Sequence, residues 1–127
     1  MADVVLDTSA FLALVRGEPG WDNVVTVLPG SVICSVNAAE AYARLSDWSY
    51  TRDQQAKCHI LLKDRIVPFD TDLALRSSAL RGPTKAHGLS LGDRACLALA
   101  QRLGVPAVTA DRAWSLLKVG IAVDLIR

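Results

Sequence analysis

Val4-Val5-Leu6-Asp7-Thr8-Ser9 passes from two β-branched residues and a leucine directly into an acid and two hydroxyl side chains. A short, unbroken apolar run reads as a strand buried on both faces, and an acid at its exit favours the start of a helix. Working outward, strands are expected at Asp3 to Leu6, Ser31 to Cys34, Arg65 to Phe69, Pro106 to Thr109 and Ala122 to Ile126, each too continuously apolar to leave one face in water. Helical segments fall between them, at 8–16, 20–28, 36–50, 52–63, 70–82, 90–103 and 111–118. Such alternation implies right-handed crossovers and a parallel sheet covered by helices on both faces. Gly17-Glu18-Pro19-Gly20 and Gly82-Pro83 are expected to break helices, and Gly104 with Pro106 to end a helix and open a strand. Arg81 to Gly88 is expected to form a mobile loop.

The 127 residues suit one domain spanning 1–127, large enough to bury its own core. With 14 Lys and Arg against 13 Asp and Glu, net charge is only +1, so any affinity for nucleic acid must come from local clustering of cations. Cys34, Cys58 and Cys96 are odd in number and lack metal-ligand or redox spacing. They read as small buried hydrophobes in a reducing cytoplasm. Met1-Ala2-Asp3 leads into a strand without the basic and apolar regions of a signal peptide, and the longest conspicuous apolar run, Ala95 to Ala100, is too short to span a bilayer. A soluble protein with no membrane association is expected.

Four acids stand where helices should begin: Asp7, Glu40 in Ser35-Val36-Asn37-Ala38-Ala39-Glu40, Asp93 in Ser90-Leu91-Gly92-Asp93, and Asp111 in Val108-Thr109-Ala110-Asp111-Arg112. Taken singly, each has a capping explanation. Asp7 and Asp111 suit N-caps, Glu40 would close a capping box with Asn37, and Asp93 would do so less ideally with Ser90. Taken together, Asp7, Glu40 and Asp111 follow strands one, two and four and so reach the rim where parallel sheets bind ligands. Asp93 joins them if its helix opens toward the same rim. Clustered carboxylates repel, and a hard divalent cation relieves the repulsion.

Leu6-Asp7-Thr8-Ser9-Ala10, Asn37-Ala38-Ala39-Glu40, Leu91-Gly92-Asp93 and Thr109-Ala110-Asp111-Arg112, in that order and spacing, resemble a PIN-domain ribonuclease of the VapC toxin type. The resemblance covers essentially the whole chain. It departs modestly at Trp114, where the family often carries Phe three residues after the last acid. It implies an α/β three-layer sandwich around a five-stranded, mainly parallel sheet. It also implies an endoribonuclease using Mg²⁺ or Mn²⁺ to direct water onto a phosphodiester, leaving a 5′-phosphate and a 3′-hydroxyl. In that scheme Asp7 and Asp93 ligate metal directly, Glu40 ligates metal or orients the attacking water, and Asp111 holds a second metal or its water. Ser9, Thr109 and, less strongly, Thr8 are placed to fix the carboxylates through hydrogen bonds. The implied partners are RNA, a VapB-type antitoxin whose C-terminal segment lies across the site, and a second copy of the chain.

Arg81, Lys85, Arg94 and Arg112 lie near the acids in sequence and are candidates for RNA phosphates. His59 and His87 lack partners at metal-ligand spacing, and Trp21, Trp48 and Trp114 read as helix packing. Competing functions fit less well. Asp70-Thr71-Asp72 resembles the paired acids of an aspartyl phosphotransferase, but follows the third strand and not the first. A non-enzymatic receiver-like phosphate- or metal-binding module would want a paired acid at the first strand and a Lys after the last. Neither is present, nor is a Gly-x-Gly-x-x-Gly or P-loop motif.

Overall fold

The computed structural model describes residues 1–127. Strands β1 (Val4–Leu6), β2 (Ser31–Cys34), β3 (Ile66–Val67), β4 (Ala107–Thr109) and β5 (Val123–Leu125) alternate with helices α1 (Thr8–Arg16), α2 (Trp21–Val27), α3 (Ser35–Asp47), α4 (Arg52–Leu62), α5 (Thr71–Thr84) and α6 (Leu91–Leu103). The strands form a single sheet in the order β3-β2-β1-β4-β5, and every pairing is parallel. The chain lays down β1, β2 and β3 toward one edge and then returns to put β4 on the other side of β1. The order therefore reverses between β1 and β4, where a crevice opens at the carboxyl ends of the strands.

Side chains alternate across the pleat and feed two separate cores. Val4 and Leu6 of β1, Ile33 of β2 and Val108 of β4 meet Phe11, Ala38 and Leu45 beneath α1 to α4. Val5, Cys34 and Ala107 point the opposite way, onto α5, α6 and Trp114. The expected three layers follow. All three cysteines are free and buried, as read from their scatter. No helix is long and apolar enough to cross a membrane.

The expectation of five strands buried on both faces holds for β1 and β4, and nearly for β2. The edge strands differ: Ile66 and Val67 of β3 are half-buried, while Asp124 and Leu125 of β5 are exposed. A terminal strand has a neighbour on one side only, and here the helical layers do not reach over it. Gly82-Pro83 does not break the helix there. α5 continues through both residues to Thr84, whose Oγ1 donates to Leu80 O (2.7 Å) and fastens the last turn beyond the proline. Pro83 has no N–H to give Ala79 O, but it lies one residue from the end of α5, so the turns before it keep their hydrogen bonds. The expected loop at Arg81 to Gly88 is accordingly helical, the end of α5 followed by a single 3₁₀ turn at Lys85–His87. The segment expected as helix 111–118 is a shorter 3₁₀ turn, Arg112–Leu116.

Candidate active site

The crevice between β1 and β4 is a cavity of about 500 Å³ lined by Asp7, Glu40, Asp93 and Asp111. All four predicted acids meet there, including Asp93, whose helix does not follow a strand. Thr8, Ser9, Leu12, Ala43 and Arg44 complete its wall.

Asp7 ends β1: its N–H still donates to Val108 O of β4 (2.9 Å), and α1 starts at the next residue. Although it holds the N-cap position, its side chain makes no capping hydrogen bond. Ser9 Oγ (2.7 Å) and Thr109 Oγ1 (2.9 Å) instead donate to Asp7 Oδ2. Each hydroxyl also accepts a backbone N–H, Ser9 from Ala110 and Thr109 from Asp111, both at 3.0 Å. Both hydroxyl hydrogens are thus committed to Asp7, and the 3.2 Å approach of Ser9 Oγ to Thr109 Oγ1 is a packing contact. Asp7 is only 4% exposed. Burial pushes its carboxyl from 3.8 up to about 6; the Ser9 and Thr109 hydroxyls oppose that shift, and the neighbouring charge of Asp93 adds to it.

Glu40 lies in the second turn of α3. Thr8 Oγ1 donates to Glu40 Oε1 (3.0 Å) and in turn accepts from Asn37 Nδ2 (3.1 Å), which also donates to Gly92 O (3.0 Å). A chain of hydrogen bonds therefore ties α1, α3 and the first turn of α6 together around this carboxylate. Asn37 is a correction to the expected capping box. It sits inside α3, fully buried, with Cys34 at the N-cap position, and its partners lie on other elements. Gly92 faces Glu40 so closely that a Cβ there would collide with the carboxylate. Asp93 and Ser90 do form the reciprocal capping box, Ser90 N–H donating to Asp93 Oδ2 (3.0 Å) and Asp93 N–H to Ser90 Oγ (3.2 Å). Asp111 caps the following 3₁₀ turn by accepting from Ala113 N–H (3.0 Å).

No carboxylate of the cavity is in an ion pair. The three ion pairs of the protein join Arg76 to Asp72, and Arg102 to Asp70 and Asp72. That arrangement also accounts for Asp70-Thr71-Asp72: Asp70 caps α5 by accepting from Leu73 N–H, and both acids lie outside the cavity. A buried carboxylate with no ion-pair partner, sharing a cavity with three more, is unfavourable when charged, and a divalent ion with oxygen preference would relieve it. The donor chemistry, all oxygen with no cysteine or histidine among it, suits a hard divalent cation.

Of the candidate phosphate contacts, none lines the cavity. Arg94 Nη1 donates to Ser77 O (3.1 Å) and pins α6 to α5, while Arg81, Lys85 and Arg112 are exposed. The cation that does line it is Arg44, one helical turn after Glu40 on α3, a spacing that sequence alone offers for inspection.

The PIN domain family matches residues 4–120. No curated protein matches the sequence. Among solved structures, chains of three complexes have a similar fold. They are the toxin-antitoxin complex from Klebsiella pneumoniae (22% identity, TM-score 0.78, 98% of both chains), DNA-bound VapBC from Salmonella typhimurium (16%, 0.79, 100% of both) and FitAcB from Neisseria gonorrhoeae (19%, 0.71, 97% of both). With its fold shared along whole chains and its family matched from the first strand to beyond the last acid, the protein belongs to the PIN domain family.

Proposed function

We propose that this protein is a divalent-metal-dependent endoribonuclease, a toxin of the VapC type held silent by a cognate antitoxin. The observation that carries the nuclease reading is Asp7: buried, without a counter-cation, and facing one cavity with Glu40, Asp93 and Asp111. Membership of the PIN domain family supports the same reading. Asp7 and Asp93 would hold Mg²⁺ or Mn²⁺, with Glu40 and Asp111 completing the oxygen set. When bound, such an ion acidifies water and offsets charge building on the phosphodiester oxygens.

The chain's own contribution is positioning. Ser9 and Thr109 hold Asp7 in a single orientation, and Thr8, backed by Asn37, holds Glu40 beside it. Glu40 is exposed at the cavity wall, where its carboxylate can orient a water and accept its proton. The water oxygen then forms a bond to phosphorus, the bond from phosphorus to the 3′ oxygen breaks, and that oxygen leaves with a proton as a 3′-hydroxyl. The other fragment keeps a 5′-phosphate. The test is to incubate purified protein with total RNA, with Mg²⁺ and with chelator, and to map new 5′ ends. Discrete ends that appear only with the ion are expected. Intact RNA under both conditions would return the protein to the receiver-like, non-enzymatic reading.

The antitoxin reading draws on the similar structures, which come from a toxin-antitoxin complex and from VapBC. Exposed Trp21 and Val25 on α2, and Ile60 and Leu61 on α4, offer apolar surface for that partner or for a second copy of the chain. Coexpression with the neighbouring small open reading frame should yield a copurifying complex that leaves RNA intact. A neighbour that neither binds nor inhibits would leave a PIN nuclease without the toxin assignment.

A further inference from the structure

Arg44 is the cation of the cavity wall, and it does not stand alone. Its guanidinium carbon lies 5.1 Å from the centre of the Trp48 ring, and that of Arg16 lies 4.1 Å from the same ring. Arg16 comes from the last turn of α1 and Arg44 from the last turn of α3, so two packed helices bring their ends to one indole. Both arginines are exposed and Trp48 is half-buried. Arg65, Arg76, Arg94, Arg102 and Arg127 all donate to protein acceptors; Arg16 and Arg44, like Arg52, Arg81 and Arg112, donate to none, and of these five only Arg16 and Arg44 rest on an aromatic ring. Placement near helix C-termini explains a cation at each position. It does not explain two like charges gathered on one ring, neither of them in an ion pair, with one of them lining a cavity that is otherwise acidic.

We infer that Arg16 and Arg44, held by Trp48, bind the phosphates of single-stranded RNA as it enters the carboxylate cavity along the ends of α1 and α3. The inference rests on the nuclease reading. An anionic strand approaching four carboxylates needs cations beside them, and Arg44 is the one present in the wall. Arg16 extends that positive edge away from the acids. A guanidinium presents several N–H donors in a planar fork suited to phosphate oxygens, and one resting on an indole leaves its edge free for them. Because the ring already holds the side chains in place, less side-chain freedom is lost on binding.

The test uses a fluorescein-labelled single-stranded oligouridylate, its anisotropy followed in chelator while KCl is titrated. Arg16→Gln and Arg44→Gln should each lower the slope of log K against log salt by about 0.7, the value for one phosphate contact on a single strand. The double variant should lose about twice that. Trp48→Leu, which keeps both charges but frees them, should weaken binding and leave the slope unchanged; melting curves establish that each variant is folded. A folded double variant with the wild-type slope and affinity overturns the inference, as does wild-type protein that binds no oligouridylate. Polyglutamate competing as well as the oligouridylate at equal charge would make the patch a general anion site and overturn the RNA assignment. Mg²⁺-dependent cleavage by the wild type, measured in parallel, separates the two readings: cleavage with an unchanged slope sinks this inference alone, and absence of cleavage sinks the nuclease.

Discussion

Asp7→Asn should abolish RNA cleavage and, in chelator at neutral pH, make the protein more stable. The folded carboxyl titrates at about 6 against 3.8 for a free side chain, because burial disfavours its charge. The folded state therefore binds this proton more tightly than the unfolded chain. Its contribution to stability is fully present below 3.8 and is lost as pH rises through 6, which leaves the native state about 3 kcal/mol worse off at pH 7 than in acid. Asparagine removes that penalty. It also keeps an acceptor oxygen for Ser9 and Thr109, which need one because their other contacts accept backbone N–H groups. Melting in chelator should therefore rise by roughly 10 °C at neutral pH and hardly at all in acid. Adding Mg²⁺ should narrow the gap, since only the wild type gains the full energy of binding the ion. Equal or lower melting of the variant in chelator at pH 7 would sink this account of Asp7. Asp93→Asn is the contrast: Asp93 is half-buried and already engaged with Ser90, so cleavage should be lost without a comparable gain in stability.

Gly92→Ala should cost on the order of 100-fold in cleavage while leaving the fold at least as stable. In an ordinary helix, glycine to alanine gains roughly 0.5–1 kcal/mol by restricting the unfolded chain. Here the added methyl would meet the Glu40 carboxylate, the far end of a flexible, exposed side chain. Glu40 yields by swinging outward, which costs little in stability but breaks its bond from Thr8 and removes it from beside Asp7. Asn37 keeps its bond to Gly92 O, because only the side chain at 92 changes. Cleavage rate and melting temperature measured on the same preparation decide the matter. Full activity in the variant would mean that the position of Glu40 is not critical.

The four acid motifs carried most of what could be read in advance. The resemblance they supported is borne out in the PIN domain family match, and the α/β architecture with its parallel sheet is the one found. Acids at strand exits were legible because the ends of parallel strands share a rim, so local text implies long-range proximity. What failed needed knowledge of neighbours. β5 reads apolar in sequence yet lies at an edge where nothing covers Asp124 and Leu125. Asn37 looked like a cap three residues before an acid, but its partners are Thr8 and Gly92, 29 and 55 residues away. Tryptophan was only partly legible. Trp114 is buried in the core as expected, Trp21 is exposed, and Trp48 carries two arginines whose convergence depends on how α1 crosses α3.

The bond from Thr109 to Asp7 spans 102 residues of chain, and the contact of Ser9 with Thr109 spans 100. During synthesis, β1 and Asp7 leave the ribosome long before β4 exists to pair with them. At about 5–20 residues per second, the interval is roughly 5–20 s. Throughout it the carboxylate cavity has no second wall, because Asp93, Thr109 and Asp111 are still to be made. On the proposed nuclease reading, a nascent chain therefore cannot cut RNA until β4 and the acids around it have been made, and activity arrives as one late event of strand docking. On the same reading, the delay would give the proposed antitoxin time to meet the chain before the cavity has both its walls.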